Sequence, residues 1–204
     1  MSRQIIINSG IREKRAAVLV ENRLEDVFYE QDTYEQIAGN IYKGKVKNVL
    51  PGMQAAFIDI GHERNAFLHI NDLYPLMNKE EFKLKQKNKL GIKQVLKTGQ
   101  DIMIQIIKES IGSKGPKATC KLSIPGRYFV LLPNDKRINI SRKIKNKDER
   151  ERLKNVTAKL TGNYGVIIRT NARGKVREDL ELDLDYLIHV WEQVKKTYNR
   201  KQAI

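Results

Sequence analysis

Residues 39–72 constrain the fold of this chain more than any other stretch, because they alternate with a period of two. At the start of the stretch the two alternating sets are Tyr42, Gly44 and Val46 on one side and Lys43, Lys45 and Lys47 on the other. A period of two puts such sets on opposite faces of a strand, so one face is predicted to be cationic. Apolar runs at 55–60 and 66–70, each preceded by a glycine-containing turn, predict two more strands.

Two phenylalanines, Phe57 and Phe67, stand among the basic residues of this predicted sheet. A curled antiparallel sheet that offers lysines to the backbone and aromatic rings to the bases is how OB-type barrels hold single-stranded nucleic acid. On the pattern alone, however, each ring is assigned to the core, because an aromatic residue in a strand is more often buried than exposed. Alternation therefore leaves both positions open.

Strands predicted at 100–108 and 118–124 complete a five-stranded barrel. The lysine-rich residues 73–97 that precede them are interpreted as a mobile loop with one helical turn near 80–84. Between the last two strands, residues 110–117 contain two glycines, a proline and two lysines, and they predict a flexible basic loop at the barrel rim. Lys114 in this loop is the predicted phosphate contact.

The regions before and after the barrel predict other structure. Short apolar runs at 4–7, 15–20 and 27–29 predict an amino-terminal β meander. After the barrel, strands are predicted at 128–132, 138–144 and 164–170, and the second of them carries Arg142, a candidate RNA contact. A helix is predicted at 147–160. The apolar face of a longer carboxy-terminal helix is formed by Leu180, Leu184, Leu187, Trp191 and Val194. The predicted fold class is α+β.

An acidic cluster coincides with the start of the last helix. Its members are Glu178, Asp179, Glu181, Asp183 and Asp185. Such a cluster suggests a metal site, but carboxylates are also favoured in the first turn of any helix, which is the simpler interpretation.

The charge of the chain favours polyanionic partners. With 39 Lys and Arg against 24 Asp and Glu, the net charge is +15 and the pI is near 9.8. Nucleic acid is the first candidate, and a generally cationic surface is the alternative. No apolar run approaches the roughly 20 residues that cross a bilayer, and no secretory signal is recognisable, so a cytoplasmic location without a membrane partner is expected. The single cysteine, Cys120, excludes an internal disulfide among these residues and is expected to fill a strand.

The segment GKVKNVLPGMQAAFIDIGHERNAFLHI, at residues 44–70, resembles the first half of an S-one-type RNA-binding domain. After it, IPGRYFVLLP, INISRKI, GVIIRTNARGK and a D-L-x-x-L-x-x-x-W-E helix follow in the order found in the amino-terminal half of the ribonuclease E/G family. The opening residues 2–30 also resemble that family. The resemblance implies the first piece of an RNase H-like subdomain at 1–38, an S-one-type OB fold at 39–124, and an α+β 5′ sensor at 125–204.

The resemblance also implies which residues bind RNA. In the sensor, Arg169 and Thr170 would hold a 5′-monophosphate, with backbone near Gly126 and Val130 completing the pocket. A planar guanidinium suits a terminal phosphate, although without the resemblance Arg169 is assigned to a pair with a neighbouring carboxylate. In the barrel, the residues predicted to contact RNA are Phe57, Phe67, His69, Lys43, Lys45 and Lys114. As a lone histidine, His69 is otherwise a structural hydrogen-bonding residue.

The family's catalytic centre is expected to lie outside these 204 residues. By the resemblance, catalysis uses a pair of aspartates that bind magnesium in a DNase I-like subdomain, and zinc links subunits through a C-P-x-C segment. No cofactor is therefore expected in this chain, which would hold RNA without cutting it. Asn171, Ala172 and Arg173 also depart from the smaller, glycine-containing turn expected in the sensor, so Arg173 would either strengthen phosphate binding or obstruct it.

The predicted function is the RNA-binding, substrate-recognition part of an endoribonuclease that acts on single-stranded, 5′-monophosphorylated, AU-rich RNA. The alternative is a stand-alone or ribosome-associated RNA-binding protein with no nuclease parent. A third, weaker hypothesis is a scaffold that binds acidic proteins or membranes. Because unpaired edge strands tend to find partners, a homo-oligomer formed through the amino-terminal strands is a further hypothesis.

Overall fold

The computed structural model describes residues 2–10, 13–31, 36–73 and 91–201, apart from the side chains of residues 30 and 31. It has the α+β fold class predicted from the sequence. Contacts divide the chain into two compact units, Met1–Ile37 and Ala38–Ile204. Because the barrel and the region after it fall in one unit, the predicted division between residues 124 and 125 stays a prediction.

The first unit is a three-stranded antiparallel sheet. Its strands are β1 (Arg3–Ser9), β2 (Glu13–Val20) and β3 (Arg23–Gln31), in the order β1-β2-β3. The turn between β2 and β3 places Glu21 and Asn22 at φ of 51° and 63°, the positive values that a tight hairpin needs. Each strand is longer than its apolar run, because backbone pairing continues beyond the apolar residues.

The second unit begins with a closed five-stranded barrel. Its strands are β4 (Ile41–Leu50), β5 (Ala55–Asp59), β6 (Ala66–His69), β7 (Asp101–Lys108) and β8 (Lys117–Thr119). They close in the order β4-β5-β6-β8-β7. The predicted five-stranded OB-type barrel is confirmed, and one of its strand pairs, β6 with β8, is parallel. The predicted strand at 118–124 is wrong in length, because β8 ends at Thr119.

Small and branched side chains fill the barrel. Ala56, Ile58, Ala66, Leu68 and Ile104 are fully buried. Gly44 lets β4 approach β5 closely, because a Cβ built there would lie 2.8 Å from the carbonyl oxygen of Asp59. The side chains that alternate with the buried ones on β5 and β6 therefore face outward.

The interpretation of residues 73–97 as a mobile loop is wrong where the structure describes them. Ile92–Val95 form a short helix, α1, and Ile92 and Leu96 are 0% and 2% exposed. The side chain of Gln54 accepts the N–H of Ile92 at 3.0 Å, which fixes this helix to the barrel. Residues 74–90, including the helical turn predicted near 80–84, lie outside the described residues.

The region after the barrel is a four-stranded sheet packed against two helices. The strands are β9 (Ile124–Pro125), β10 (Phe129–Leu132), β11 (Ile138–Ile140) and β12 (Gly165–Ile168), in the order β11-β12-β10-β9. The helices are α2 (Lys147–Ala158) and α3 (Arg177–Arg200). The predicted apolar face of α3 is confirmed, since Leu180, Leu184, Leu187 and Trp191 are buried in one core with Phe129.

The strand predicted at 138–144 ends early, at Ile140. After it the N–H of Ile144 bonds back to the carbonyl oxygen of Ser141 at 3.2 Å, which makes a turn. Arg150 of α2 donates to the carbonyl oxygens of Ser141 and Ile144, at 3.0 Å each. These backbone oxygens are held by a side chain, so the ladder does not continue and Arg142 lies in the turn instead of a strand.

No helix in the described ranges combines the length and apolarity needed to cross a membrane.

Candidate nucleic-acid interface

Phe57 and Phe67 form a pair on the outside of the barrel. They are direct neighbours across β5 and β6, and their ring centroids lie 6.0 Å apart with planes at 66°. Both rings are partly exposed, whereas Ala56, Ile58 and Leu68 fill the interior. The assignment of the rings to the core is therefore wrong, and their faces are available for stacking.

Polar residues surround the pair, and we call the whole set the aromatic face: Asn48, Phe57, Phe67, His69 and Lys117. Register places Asn48 opposite Phe57 and Lys117 beside Phe67. Nδ1 of His69 accepts the N–H of Asn71 at 3.2 Å, the structural bond expected of a lone histidine, so the neutral ring carries its proton on Nε2. Sequence analysis missed Asn48 and Lys117, because strand register alone brings them there.

The lysines of β4 differ in their surroundings. Lys45 is paired in register with Asp59 and Asp101 on the neighbouring strands. Lys47 forms an ion pair with Asp59 at 3.1 Å. The N–H of Gly61 and then Lys47 lower the pKa of Asp59, so this carboxylate stays charged and offsets part of the cationic face.

Lys43 points toward the end of α3. Its ammonium donates to the carbonyl oxygens of Tyr198 and Lys201, at 3.2 and 2.7 Å, and lies 4.7 Å from the Tyr198 ring centroid. Carbonyls at a helix carboxyl terminus attract cations. Lys43 therefore stabilises the junction between barrel and helix and is not part of the proposed RNA-binding surface.

Two other predicted contacts are exposed on turns. Lys114 and Ile111 exchange backbone hydrogen bonds of 3.0 and 3.1 Å, which close a tight turn at the tip of the rim loop. Arg64 donates to the carbonyl oxygen of Gly112 and ties this turn to the loop between β5 and β6. Arg142 is exposed in the turn that follows β11.

Arg169, Thr170 and Gly126 belong to two turns that meet. We call residues 169–174 the Arg169 turn and residues 126–129 the Gly126 turn. The N–H of Arg169 donates to the carbonyl oxygen of Tyr128 at 2.8 Å, and its guanidinium donates to that of Gly126. Among the described residues no carboxylate lies within ion-pair distance of Arg169. The alternative prediction, an ion pair with a neighbouring carboxylate, is therefore wrong for this part of the chain.

Thr170 and Val130 lie on different parts of this site. Thr170 is exposed and begins the short 3-10 helix Thr170–Ala172. Val130 is in β10, half-buried, and opposite Ile167. The structure thus brings Arg169, Thr170 and Gly126 together, with Val130 one strand position beyond the Gly126 turn.

Two carboxylates from the helices hold these turns, and sequence analysis assigned neither of them to the site. Asp183 of α3 accepts the N–H groups of Arg127, Tyr128 and Phe129 at 2.9, 2.8 and 3.1 Å. The first turn of α3 contains Glu178 and Asp179, so the first-turn explanation does not cover Asp183. Its contacts lie more than fifty residues away in sequence, which no local pattern reveals.

The second carboxylate is Glu149 of α2. It accepts the N–H of Gly174 at 2.8 Å and binds Arg152 through both oxygens, at 2.7 and 2.9 Å. Bonding to Arg152, followed by the N–H of Gly174, lowers the pKa of Glu149 to about 2. Glu149 is therefore charged at neutral pH and fixes the end of the Arg169 turn.

Further cations surround the two turns. The guanidinium of Arg127 and the ammonium of Lys175 lie 5.3 and 5.8 Å from the ring centroid of Tyr128. Arg173 is exposed at the end of the 3-10 helix. An anion that approaches Arg169 therefore meets several positive groups.

A groove of about 670 Å³ lies between β4, β7 and α3. Ile41, Met103, Val190 and Val194 contribute to its lining. Of the predicted site residues only Lys43 borders it, and its ammonium is already bound to the helix end. In the described parts of the chain, no group of His, Cys, Asp and Glu side chains is arranged to hold a metal ion.

The fold and these surfaces define the class of protein: an OB-type barrel joined to an α+β region, with exposed aromatic and basic groups of the kind that bind single-stranded nucleic acid. Comparison with known proteins gives the family. The model of the Ribonuclease E/G family matches residues 123–204. Over its whole length the chain is 39% identical to ribonuclease G of Salmonella typhimurium (strain SL1344) and 38% identical to ribonuclease G of Escherichia coli (strain K12). It is 37% identical to ribonuclease E of Nostoc sp..

The resemblance to the ribonuclease E/G family that the motifs predicted is confirmed, because the family model matches residues 123–204 and ribonucleases G and E match the whole chain. The chain spans 42% of the length of the two ribonucleases G and 28% of the ribonuclease E.

Proposed function

We propose that this chain is the RNA-binding, substrate-recognition part of a ribonuclease E/G-type endoribonuclease. It holds single-stranded RNA on the aromatic face and senses a 5′-monophosphate at the Arg169 turn. The observation that carries the proposal is the exposed Arg169 turn docked on the Gly126 turn, in the same compact unit as the partly exposed Phe57–Phe67 pair.

On the barrel, stacking supplies affinity without demanding a base sequence. Each base stacked on an aromatic side chain contributes about 1–3 kcal/mol. Lys45, Lys114 and Lys117 neutralise phosphates, and Arg142 extends the cationic surface beyond the barrel. Exposed lysines add affinity for any RNA, so this surface does not by itself distinguish one 5′ end from another.

At the Arg169 turn, the guanidinium and the hydroxyl of Thr170 recognise the terminal phosphate. Arg169 is preorganised, because its backbone N–H and its guanidinium are both bound to the Gly126 turn. Its remaining N–H groups can donate to two phosphate oxygens at once, because the guanidinium is planar. A lysine ammonium lacks this geometry. The exposed Thr170 hydroxyl adds a second donor next to the Arg169 guanidinium. An RNA with a 5′-hydroxyl end has no terminal phosphate charge for either group to bind.

RNA cleavage is proposed for the parent protein and not for this chain. Metal-assisted attack of water on a phosphodiester would use the magnesium-binding aspartates of the family, and zinc would link subunits, in the part of the relatives that this chain does not span. Incubation of the purified chain with Mg²⁺ and single-stranded RNA should leave the RNA intact, and cleavage that copurifies with the protein would contradict this part of the proposal.

The relatives argue against the alternative of an RNA-binding protein without nuclease parentage, since ribonucleases G and E match the entire chain. The hypothesis of a scaffold that binds acidic proteins or membranes can be tested by competition. If it holds, single-stranded RNA at physiological salt would fail to displace those partners. A cytoplasmic location and self-association through the amino-terminal strands stay predictions.

The test compares one short single-stranded RNA that carries a 5′-monophosphate with the same RNA that carries a 5′-hydroxyl. We define the discrimination ratio as the affinity for the first divided by that for the second. Charge-assisted hydrogen bonds contribute roughly 1.5–3 kcal/mol each, so the native chain should show a ratio of about ten or more. Arg169→Ala should bring it to about one, since the bonds to the phosphate are lost.

The matched control is Arg142→Ala, which removes the same charge from another exposed turn. It should weaken both RNAs equally and keep the ratio of the native chain. If the native chain binds both RNAs alike, 5′ sensing is wrong and only general RNA binding by the barrel survives.

A further inference from the structure

Asp183 makes an unusual set of bonds for an acidic residue on a partly exposed helix. One oxygen accepts the N–H of Arg127 at 2.9 Å, and the other accepts those of Tyr128 and Phe129 at 2.8 and 3.1 Å. Three consecutive backbone N–H groups that converge on one point form an anion-binding concavity. Here a carboxylate of the same chain occupies that concavity.

The same turn holds the phosphate-binding arginine from its other side. Carbonyl oxygens of Gly126 and Tyr128 accept the guanidinium and the backbone N–H of Arg169. The Gly126 turn therefore lies between Asp183, which binds its N–H groups, and Arg169, which binds its carbonyls. An unbroken set of hydrogen bonds connects the α3 carboxylate to the guanidinium.

We infer that Asp183 is the positioning residue of the 5′-phosphate site, and that the terminal phosphate binds side chains of the Arg169 turn and not the N–H groups of residues 127–129. This inference rests on the proposed function. Asp183 fixes the carbonyls on which Arg169 docks, and it excludes an anion from the backbone concavity of the Gly126 turn. Recognition then depends on Arg169 and Thr170, whose geometry Asp183 sets without touching RNA.

Only a carboxylate meets these demands. It has two acceptor oxygens with about four lone-pair directions and no donor. An asparagine of the same shape has one acceptor oxygen and an NH₂ group, which would point donors at N–H groups of the turn. The space is also tight, because a Cβ at Gly126 would lie 2.9 Å from each oxygen of Asp183.

The test uses Asp183→Asn, with Asp185→Asn as the matched control on the same helix. The control substitution removes the same charge from an exposed residue. Within the residues that the structure describes, Asp185 makes no hydrogen bond or ion pair. Leaving part-buried N–H groups without acceptors is costly, so Asp183→Asn should lower the discrimination ratio by about tenfold. Affinity for the 5′-hydroxyl RNA should change by less than about twofold, since the aromatic face is untouched. Asp185→Asn should retain the native ratio.

A purely structural role would not move the ratio while sparing binding of the 5′-hydroxyl RNA. If Asp183→Asn keeps the discrimination ratio of the native chain, the inference is overturned and the proposed function still stands. A native chain that binds both RNAs alike overturns the proposed function and this inference with it.

A measurement on the native chain keeps the inference testable if the variant does not fold. In the complex with a 5′-monophosphorylated oligonucleotide, NMR should detect couplings across hydrogen bonds from phosphorus to nitrogen of the Arg169 guanidinium. Couplings from phosphorus to the backbone nitrogens of residues 127–129 would show that the phosphate displaces Asp183, and would overturn the inference.

Discussion

The aromatic face and the Arg169 turn present binding groups in two different ways. On the barrel, Phe57 and Phe67 are neighbours because β5 and β6 pair in one register, and the sheet itself holds the rings. At the Arg169 turn, the polypeptide leaves β12 and is held by Asp183 through the Gly126 turn and by Glu149 through Gly174. Substitutions on the barrel should therefore affect only the contact that is removed. Function at the turn should also depend on residues that never touch RNA.

The largest expected effect comes from removing both rings of the aromatic face on the barrel. In Phe57→Ala/Phe67→Ala, affinity for the 5′-hydroxyl RNA should fall by about 30-fold or more, because stacking contributes about 1–3 kcal/mol per base. The discrimination ratio should stay at its native value. Tyr186→Ala, which removes an exposed ring from α3, is the control and should bind normally. Fluorescence anisotropy with both RNAs measures these changes, and a loss below about threefold would contradict stacking on this pair.

Gly126→Ala should damage the turn without removing the side chain of any proposed RNA contact. The new Cβ would lie 2.8 Å from Leu187 Cδ1 and 2.9 Å from the Asp183 oxygens, so the turn must shift. We expect a loss of about 1–3 kcal/mol in the free energy of unfolding and a lower discrimination ratio. Urea unfolding and the two-RNA assay measure these effects. Gly52→Ala is the control, because its Cβ would meet no atom within 4 Å. An unchanged ratio in Gly126→Ala would mean that the Gly126 turn does not shape the phosphate site.

Glu149→Gln tests the second anchor through pH. The pKa of Glu149 is about 2 in the folded chain, below its ordinary value of 4.5, so its contribution to stability is complete above pH 4.5 and is lost as pH falls toward 2. The free energy of unfolding of the native chain should be about 1 kcal/mol higher than that of the variant at pH 7. This difference should shrink as pH falls from 4.5 to 2. Urea unfolding across this range gives the difference directly.

Glu151→Gln, an exposed position on the same helix, should show no such pH dependence. Asp135, whose pKa is lowered to about 2 mainly by Arg137, titrates in the same range but is common to all of these chains. Its contribution therefore cancels in the comparison. A native-to-variant difference that stays constant from pH 7 to pH 3 would show that the charge on Glu149 does not hold the turn.

The smallest effects distinguish lysines that face RNA from one that holds the fold. Lys45→Gln, Lys114→Gln and Arg142→Gln should each reduce the slope of log affinity against log salt by about 0.7 for single strands. Lys43→Gln should leave that slope unchanged and lower the free energy of unfolding by about 1 kcal/mol, because it removes bonds to the α3 end. A salt slope that falls in Lys43→Gln would return Lys43 to the RNA-binding surface.

Prediction from the sequence succeeded where the signal is local. Alternation located β4 to β7, and spacing located the apolar face of α3, because each depends on residues close together in the chain. It failed for the buried Ile92 and Leu96, since lysine-rich composition gives no sign that Gln54 anchors the start of α1 through the N–H of Ile92. The strand predicted at 138–144 failed because Arg150 of the next helix binds its carbonyls.

The binding residues divide in the same way. The sequence named Phe57, Phe67, Arg169 and Thr170 through motifs, but alternation could not say which side of β5 faces the interior. Both sides carry apolar residues, and only closure of the barrel puts Ile58 inside and Phe57 outside. Asn48 and Lys117 joined the aromatic face through register with other strands.

By itself, the sequence determined most of the strands, the two long helices, the excess of positive charge and the resemblance to a family, because periodicity, composition and motifs are properties of neighbouring residues. The tertiary structure alone decided which charges act at a distance. Asp183 reaches an N–H group 56 residues away, and Lys43 reaches a carbonyl 155 residues away. Such bonds form only after the elements pack, because packing, and not local preference, brings a donor within reach of one acceptor among many.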